Sequence, residues 1–301
     1  MPVLEKRLAT AESRESSQRR HGSALFPMCA NPGCFSSWLH VWRSRKAPVI
    51  EGGWVCSPGC TSDRIEELIR REREGDVRPT VMHRHRIPIG LVLLAEGWIS
   101  HDQLRKALEA QKAGSAGRIG SWLMEHCGLE EHRVTQALSI QWNCPIFSRN
   151  SERTASATSL IPRLFLDTFG FLPLRLSTTG ILYIAFEDRI DHSLTLAIER
   201  TTGLRVEAGL VSGSEFRRLH DCILAAKFPR VRLIEAVTVD AMVNALTRLV
   251  EKEKPLDARI VRVHGFYWLR LWKVSGRSWP EVDSLPADGV EDIICSLTQF
   301  Q

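Results

Sequence analysis

The chain has 301 residues, 44% apolar and 25% charged, with a formal net charge of +5. That is ordinary globular material, long enough for two or three domains with real cores, and its mild charge does not call for nucleic acid or an anionic membrane surface. No apolar run is long enough to span a bilayer. Glu5, Lys6, Arg7 and Glu12 stand where a signal peptide would carry its apolar stretch, so a cytoplasmic protein is expected, its eight cysteines reduced or metal-bound.

Residues 1–24 are polar and aperiodic and read as a disordered tail. Next come CANPGC (29–34) and CSPGC (56–60), which place Cys29 and Cys34, then Cys56 and Cys60, around two Pro-Gly pairs. Proline fixes φ and glycine permits an unusual one, so each pair is expected on a tight turn that aims two thiolates at one point. The set suits a closed, structural zinc site, with a disulfide or unlinked thiols as the alternatives. A helix follows, with Ser62 as cap and Ile65, Leu68 and Ile69 on one face. Trp38, Trp42 and Trp54 are the expected small core of this finger-like segment, 25–75. Between Phe26 and Gly75 seven basic residues face six acidic ones, which argues against a nucleic-acid-binding finger.

Residues 76–87 read as a linker ending in the basic cluster His83, Arg84, His85 and Arg86. The chain then repeats itself: 88–111 and 118–141 align without a gap at an offset of 30, matching Ile89 with Ile119, Gly90 with Gly120, Leu93 with Leu123, Leu94 with Met124, Leu108 with Leu138 and Gln111 with Gln141. Such a period marks a unit that buries its apolar side against its own copy. Each copy is expected to hold a short helical turn after its glycine and then an amphipathic helix, the first capped by Ser100. Gly90 and Gly120 fall at helix starts, where free N–H groups and the positive dipole end suit an anion, and Arg118 could pair with a phosphate oxygen.

The pattern R-(L/I)-G-x-x-apolar-apolar-x-x-G ending in L-x-x-x-L-x-x-Q, present twice, resembles the N-terminal domain of type II secretion and type IV pilus assembly ATPases. In the second copy Arg118, Ile119, Gly120, Leu123, Met124, Leu138 and Gln141 match, Val134 is a conservative replacement, and Cys127 displaces the second glycine to Gly128. In the first, Ile89, Gly90, Leu93, Leu94, Gly97, Leu104, Leu108 and Gln111 match, with Pro88 in place of the arginine. Some members of that family bind cyclic di-GMP through both copies. The resemblance therefore implies these positions as ligand contacts, with Arg84 or Arg86 substituting for the missing arginine. It also implies a secretion or pilus machinery protein as partner.

FLPLRLSTTGILYIAFEDRID (171–191) reads as two strands around Thr179-Gly180, followed by a helix, a strand within 203–212 and a helix from Ser214. That order is also similar to the same family domain, and it implies a small α/β layer. Glu187, Asp188 and Asp191 read as caps and solvated loop residues without partners. Beyond residue 231 a helix capped near Thr238 precedes a hairpin turning at His264-Gly265, in which Phe266, Trp268, Arg270 and Trp272 share a face, the arginine covering a core edge. Cys127, Cys144, Cys222 and Cys295 read as small buried residues. No phosphate-cradling G-x-x-x-x-G-K-[ST] sequence occurs, and no catalytic constellation is arguable, so no enzymatic activity is expected.

The sequence thus describes an α+β multidomain chain: a four-cysteine zinc finger (25–75), a duplicated helical domain (88–147), a small α/β sandwich (158–228) and a C-terminal α+β module (231–301). Its expected role is regulatory or adaptor, with structural zinc on Cys29, Cys34, Cys56 and Cys60 and cyclic di-GMP as ligand. The alternatives are a ligand-free scaffold that docks to secretion or pilus machinery and, third, a nucleic-acid-binding finger.

Overall fold

The computed structural model describes residues 29–34, 47–75, 86–114, 117–147, 155–273 and 289–298. The N-terminal tail, Trp38, Trp42, His83, Arg84 and His85 lie outside the described residues. In chain order the elements are β1 (Val49–Ile50), β2 (Gly53–Trp54), α1 (Pro58–Gly75), α2 (Ile89–Ala95), α3 (His101–Ala113), α4 (Ile119–Cys127), α5 (Glu131–Trp142), α6 (Ala155–Thr158) and α7 (Arg163–Phe169). They continue as β3 (Phe171–Leu176), β4 (Ile181–Phe186), α8 (His192–Thr202), β5 (Arg205–Leu210), α9 (Gly213–Leu224), β6 (Arg230–Ala236), α10 (Val239–Glu253), β7 (Asp257–Val263), β8 (Phe266–Trp272) and β9 (Val290–Leu297). The fold is mixed α+β with several cores.

The duplicated segment folds as two helix pairs related by an approximate two-fold. Ser100 caps α3 in a full capping box with Gln103. Leu93 and Leu123, both 0% exposed, meet with Ala107 and Ala137 in one small core. The two glutamines that end the repeats show the symmetry best. Gln111 Nε2 donates to the Gly117 carbonyl at 2.9 Å, and Gln141 Nε2 donates to the Ile87 carbonyl at 2.7 Å. Each copy thus ties down the entry to the other copy's first helix. A Cβ on Gly120 would stand 2.9 Å from Val134 Cγ1, so the close approach of α4 to α5 requires this glycine.

The α/β layer has strand order β3-β4-β5, with β3 and β4 antiparallel and β4 and β5 parallel through α8. Residues 145–147 leave the helical repeat along the edge of β5, where Phe147 N donates to the Leu210 carbonyl and Leu210 N to the Pro145 carbonyl. A Cβ on Gly209 would meet that Pro145 carbonyl at 2.6 Å, so only glycine admits the junction. This contact sets the second helical copy over the carboxyl ends of β4 and β5. The helix after β5 starts earlier than the sequence suggests, because Ser212 rather than Ser214 is the cap.

The C-terminal sheet runs β6-β9-β8-β7, with β6 and β9 parallel and the other neighbours antiparallel. The hairpin turns at His264-Gly265 and Thr238 caps α10, as expected. The flanking strands β6 and β9 escape sequence reading because Arg230, Arg232, Glu235, Glu291 and Asp292 interrupt their apolar pattern. Arg270 does not cover a core edge. It is 1% exposed and lies inside the sheet's packing with Trp268 at 0%. Its Nε and Nη2 each reach a different oxygen of Asp292 at 2.7 Å, Trp268 Nε1 donates to the same carboxylate, and Nη1 donates to the Leu160 carbonyl.

The finger segment is built into this sheet. Val49 N donates to the Pro255 carbonyl, Glu51 N to the Ala258 carbonyl and Gly52 N to the buried Asp257 carboxylate, so the β1–β2 hairpin lies along the edge of β7. Behind it Ile65, Leu68 and Ile69 of α1 pack with Met242, Leu246 and Val250 of α10 and with Ile260, Leu269 and Ile293. Val261, Val263, Trp268 and Ile294 face the other way, into the core of the α/β layer. With both faces of the sheet covered, β8 is apolar on both sides apart from Arg270. The first and last segments therefore share one core.

Candidate functional site

Two constellations carry chemistry. The first is the cysteine set. The sulfurs of Cys29, Cys34, Cys56 and Cys60 all lie within 4.8 Å of one another, with Cys56 Sγ 3.5 Å from both Cys34 Sγ and Cys60 Sγ. Four sulfurs on one tetrahedral ion with bonds of about 2.3 Å stand about 3.8 Å apart, so the group fits a metal ion. All four are free thiols, which rules out a disulfide between them in this structure.

The two Pro-Gly pairs work differently from one another. Asn31 is 7% exposed; its side chain accepts from Gly33 N and donates to Asp63, which clamps the first turn to α1. Pro58-Gly59 instead forms the first turn of α1, and the Ser57 hydroxyl accepts from Cys60 N. Ser57 is therefore the capping group, and Ser62 is an interior helical residue. Burial, together with hydrogen bonds to Cys34, Cys60 and Cys29, pushes the Cys56 thiol up to about 12. Burial acts the same way on Cys60, but hydrogen bonds to Ser57, Asn31, Cys56 and Cys34 together outweigh it and pull that thiol down to about 7. One site thus holds a ready thiolate next to a reluctant one, as expected for ligands that share protons until a cation replaces them.

The second constellation is a cleft of about 370 Å³ between the second helical copy and the loops that follow β4 and β5. Ligand clefts run to about 300–1,000 Å³, and open α/β sheets place them beyond the carboxyl ends of parallel strands. Of the positions assigned from sequence, Ile89, Arg118, Ile119, Gly120, Met124, Leu138 and Gln141 line it. Arg118 is the N-cap residue of α4 and no side chain caps that end, so the Ile119 and Gly120 amides have no partner among the described residues. The start of α9 opens on the same cleft, but Glu131 already occupies it through Ser214 N at 2.8 Å and the Ser214 hydroxyl. An anion is therefore better received at α4.

Arg118 Nη1 lies 2.9 Å from Asp188 Oδ2, with 66% of the arginine side chain exposed. Exposed pairs of this kind are worth about 0–1 kcal/mol, little enough to be exchanged for a phosphate. The acidic loop, read from sequence as lacking partners, thus has them: Asp188 binds Arg118, and Asp191 both caps α8 and holds His264. Arg86 Cζ lies over the Trp142 indole, 3.1 Å from its centroid, and Trp142 is part of the cleft wall.

The remaining assigned positions lie elsewhere. Gly90 packs against Leu104, Leu94 lies against the helical core that holds Leu93 and Leu123, Leu108 is 41% exposed, and Gln111 is spent on Gly117. The cleft also contains Glu131, Trp142, Glu187, Arg189 and Arg217, which sequence reasoning missed. Trp142, directly after the last repeat glutamine, was the one available signal. Among the lone cysteines Cys295 is buried, whereas Cys222 is exposed on the outer side of α9.

No family model matches the chain, and neither does any curated protein. Among solved structures it is similar to that of MshE with cdg, at 24% identity and a TM-score of 0.40, over 46% of this chain and 99% of the other. It is also similar to the N-terminal domain of XpsE, at 19% identity and a TM-score of 0.33, over 44% of this chain and 91% of the other. Each match covers just under half of this chain and nearly all of the other.

Proposed function

We propose that the chain is a non-enzymatic cytoplasmic regulator or adaptor whose cleft at α4 binds cyclic di-GMP and whose four cysteines hold a structural zinc ion. The observation that carries the reading is the composition of the cleft, where Arg118, Arg189 and Arg217 stand among Glu131, Glu187 and Asp188. A phosphate needs donors, which the arginines and the open α4 amides supply. A guanine presents acceptors at O6 and N7 and donors along its other edge, so it uses arginines and carboxylates together. Arg86 on Trp142 offers a flat cation against which a base can stack, standing in for the arginine that Pro88 replaces. Four thiolates leave zinc no open position, hence a structural role.

Calorimetric titration of cyclic di-GMP into the full chain tests the reading. Saturable binding is expected, and Arg118→Ala should weaken it about tenfold to a hundredfold, the worth of one or two charge-assisted hydrogen bonds. Absence of heat up to about 1 mM ligand with the fold intact would discard the nucleotide reading. The second reading, a scaffold docking to secretion or pilus machinery, would then stand, favoured by Ile87, Leu91 and Ile140, which are 61%, 52% and 51% exposed on the helical pair. No helix among the described residues is long and apolar enough to cross a membrane.

A further inference from the structure

A second cleft, of about 290 Å³, opens where three separate stretches of chain meet: the end of α1, one face of α8 and the β7–β8 turn. Its floor is Glu72, whose side chain is 3% exposed. That carboxylate accepts from both terminal nitrogens of Arg200, from Arg71 Nε and from the Arg262 amide. One buried anion thus gathers cations, and among the described residues the cleft wall carries Arg71, Arg200 and Arg262 with Glu72 as its carboxylate. Arg71 is answered again by both oxygens of Glu51. Arg200 is not, among the described residues: a guanidinium has five N–H groups, Glu72 engages its two terminal nitrogens, and the side chain is 41% exposed. Its orientation is fixed by a buried partner while charge remains on offer, the pre-organised form of an anion-binding arginine.

The same face of α8 presents Ser193, Leu196 and Ala197 one and two turns before Arg200. Leu196 is 54% exposed, an apolar side chain in the same cleft as these arginines. A free inorganic anion has no use for it, whereas a peptide carrying carboxylates around an aliphatic residue would use both features. We propose that this cleft docks an acidic segment of a partner protein, its carboxylates on Arg200 and its aliphatic side chain on Leu196. The proposal is independent of the nucleotide cleft.

Fluorescence anisotropy of a labelled Glu-Glu-Leu-Leu-Glu-Glu peptide, titrated at low ionic strength with the full chain, tests it. Substituting Arg200 would strand Glu72 and confuse binding with stability, so the variant is Leu196→Glu, which adds a like charge to an exposed site. Wild type is expected to bind, Leu196→Glu to bind at least about tenfold more weakly, equivalent to about 1.4 kcal/mol, and a Gln-for-Glu peptide to fail. Thermal unfolding of the variant should be unchanged. Equal binding by wild type and Leu196→Glu, no binding tighter than about 1 mM, or full displacement of the peptide by equimolar inorganic phosphate would each overturn it.

Discussion

With zinc on the four cysteines as proposed, removing it with a chelator, or replacing Cys56 by serine, is expected to unfold the finger and loosen the C-terminal sheet with it. Structural zinc contributes about 10–16 kcal/mol to small zinc-finger peptides at neutral pH, and an ion held by these four cysteines would stabilise a core that the finger shares with the sheet. Ile50, Val55 and Cys60 pack with Ala258, Ile260 and Leu271, and the β1–β2 hairpin covers the β7 edge. Hydrogen exchange reads the effect directly: the amides of β7 and β8 should lose protection together with those of α1. Unchanged protection in β7 after Cys56→Ser would show that the sheet stands without the finger. The pH dependence follows from the thiols. Because Cys56 sits near 12 without metal, ion binding must expel its proton, so affinity should fall as pH falls. Titration in buffers of different ionisation enthalpy should show proton release.

Asp292→Ala is the second large effect, with an expected cost of about 3–5 kcal/mol. Arg270 and Asp292 are 1% and 0% exposed, so alanine leaves a buried guanidinium without its counter-charge and takes the partner from Trp268 Nε1. Desolvation makes such a pair expensive to break and of little net benefit to keep. The double variant Arg270→Met/Asp292→Leu should therefore be more stable than Asp292→Ala, though the Leu160 carbonyl loses its donor. Denaturant unfolding of the three proteins decides the point. A double variant no more stable than Asp292→Ala would mean that the pair contributes stability as such rather than merely demanding compensation.

The helical repeat was readable because its buried positions recur at an offset that survives without a gap, and the caps of α3, α8 and α10 were readable because Ser100, Asp191 and Thr238 act on amides three residues away. What escaped reading depends on distance along the chain. Nothing near Gly52 announces Asp257, 205 positions later. Arg189 and Arg217 are ordinary surface arginines until β4 and β5 end at the same place. Arg270 among tryptophans has the pattern of an exposed stripe, and only Asp292, on a strand that its own charges disguise, makes it a core residue. Gly120 was read as an anion contact and does line the cleft, but Val134 behind it gives glycine a packing reason as well.

The joining of the first and last segments bears on how the chain reaches its fold. The finger is synthesised before the C-terminal sheet, yet Thr61 bonds Glu251 from 190 positions away, and apart from Ile50 and Val55 the buried apolar partners of α1 come from Ala236 onward. Pairings of such separation are slow to form, because a long loop must close before any contact rewards it. Until the C-terminal sheet is made, Ile65, Leu68 and Ile69 lack most of the surface that covers them and the α/β layer lacks Val261, Val263, Trp268 and Ile294, while the helical pair can complete its own core. An early-bound metal ion would keep the finger's turns ordered through that interval, and a nascent chain without one would expose an amphipathic helix to aggregation or to a chaperone.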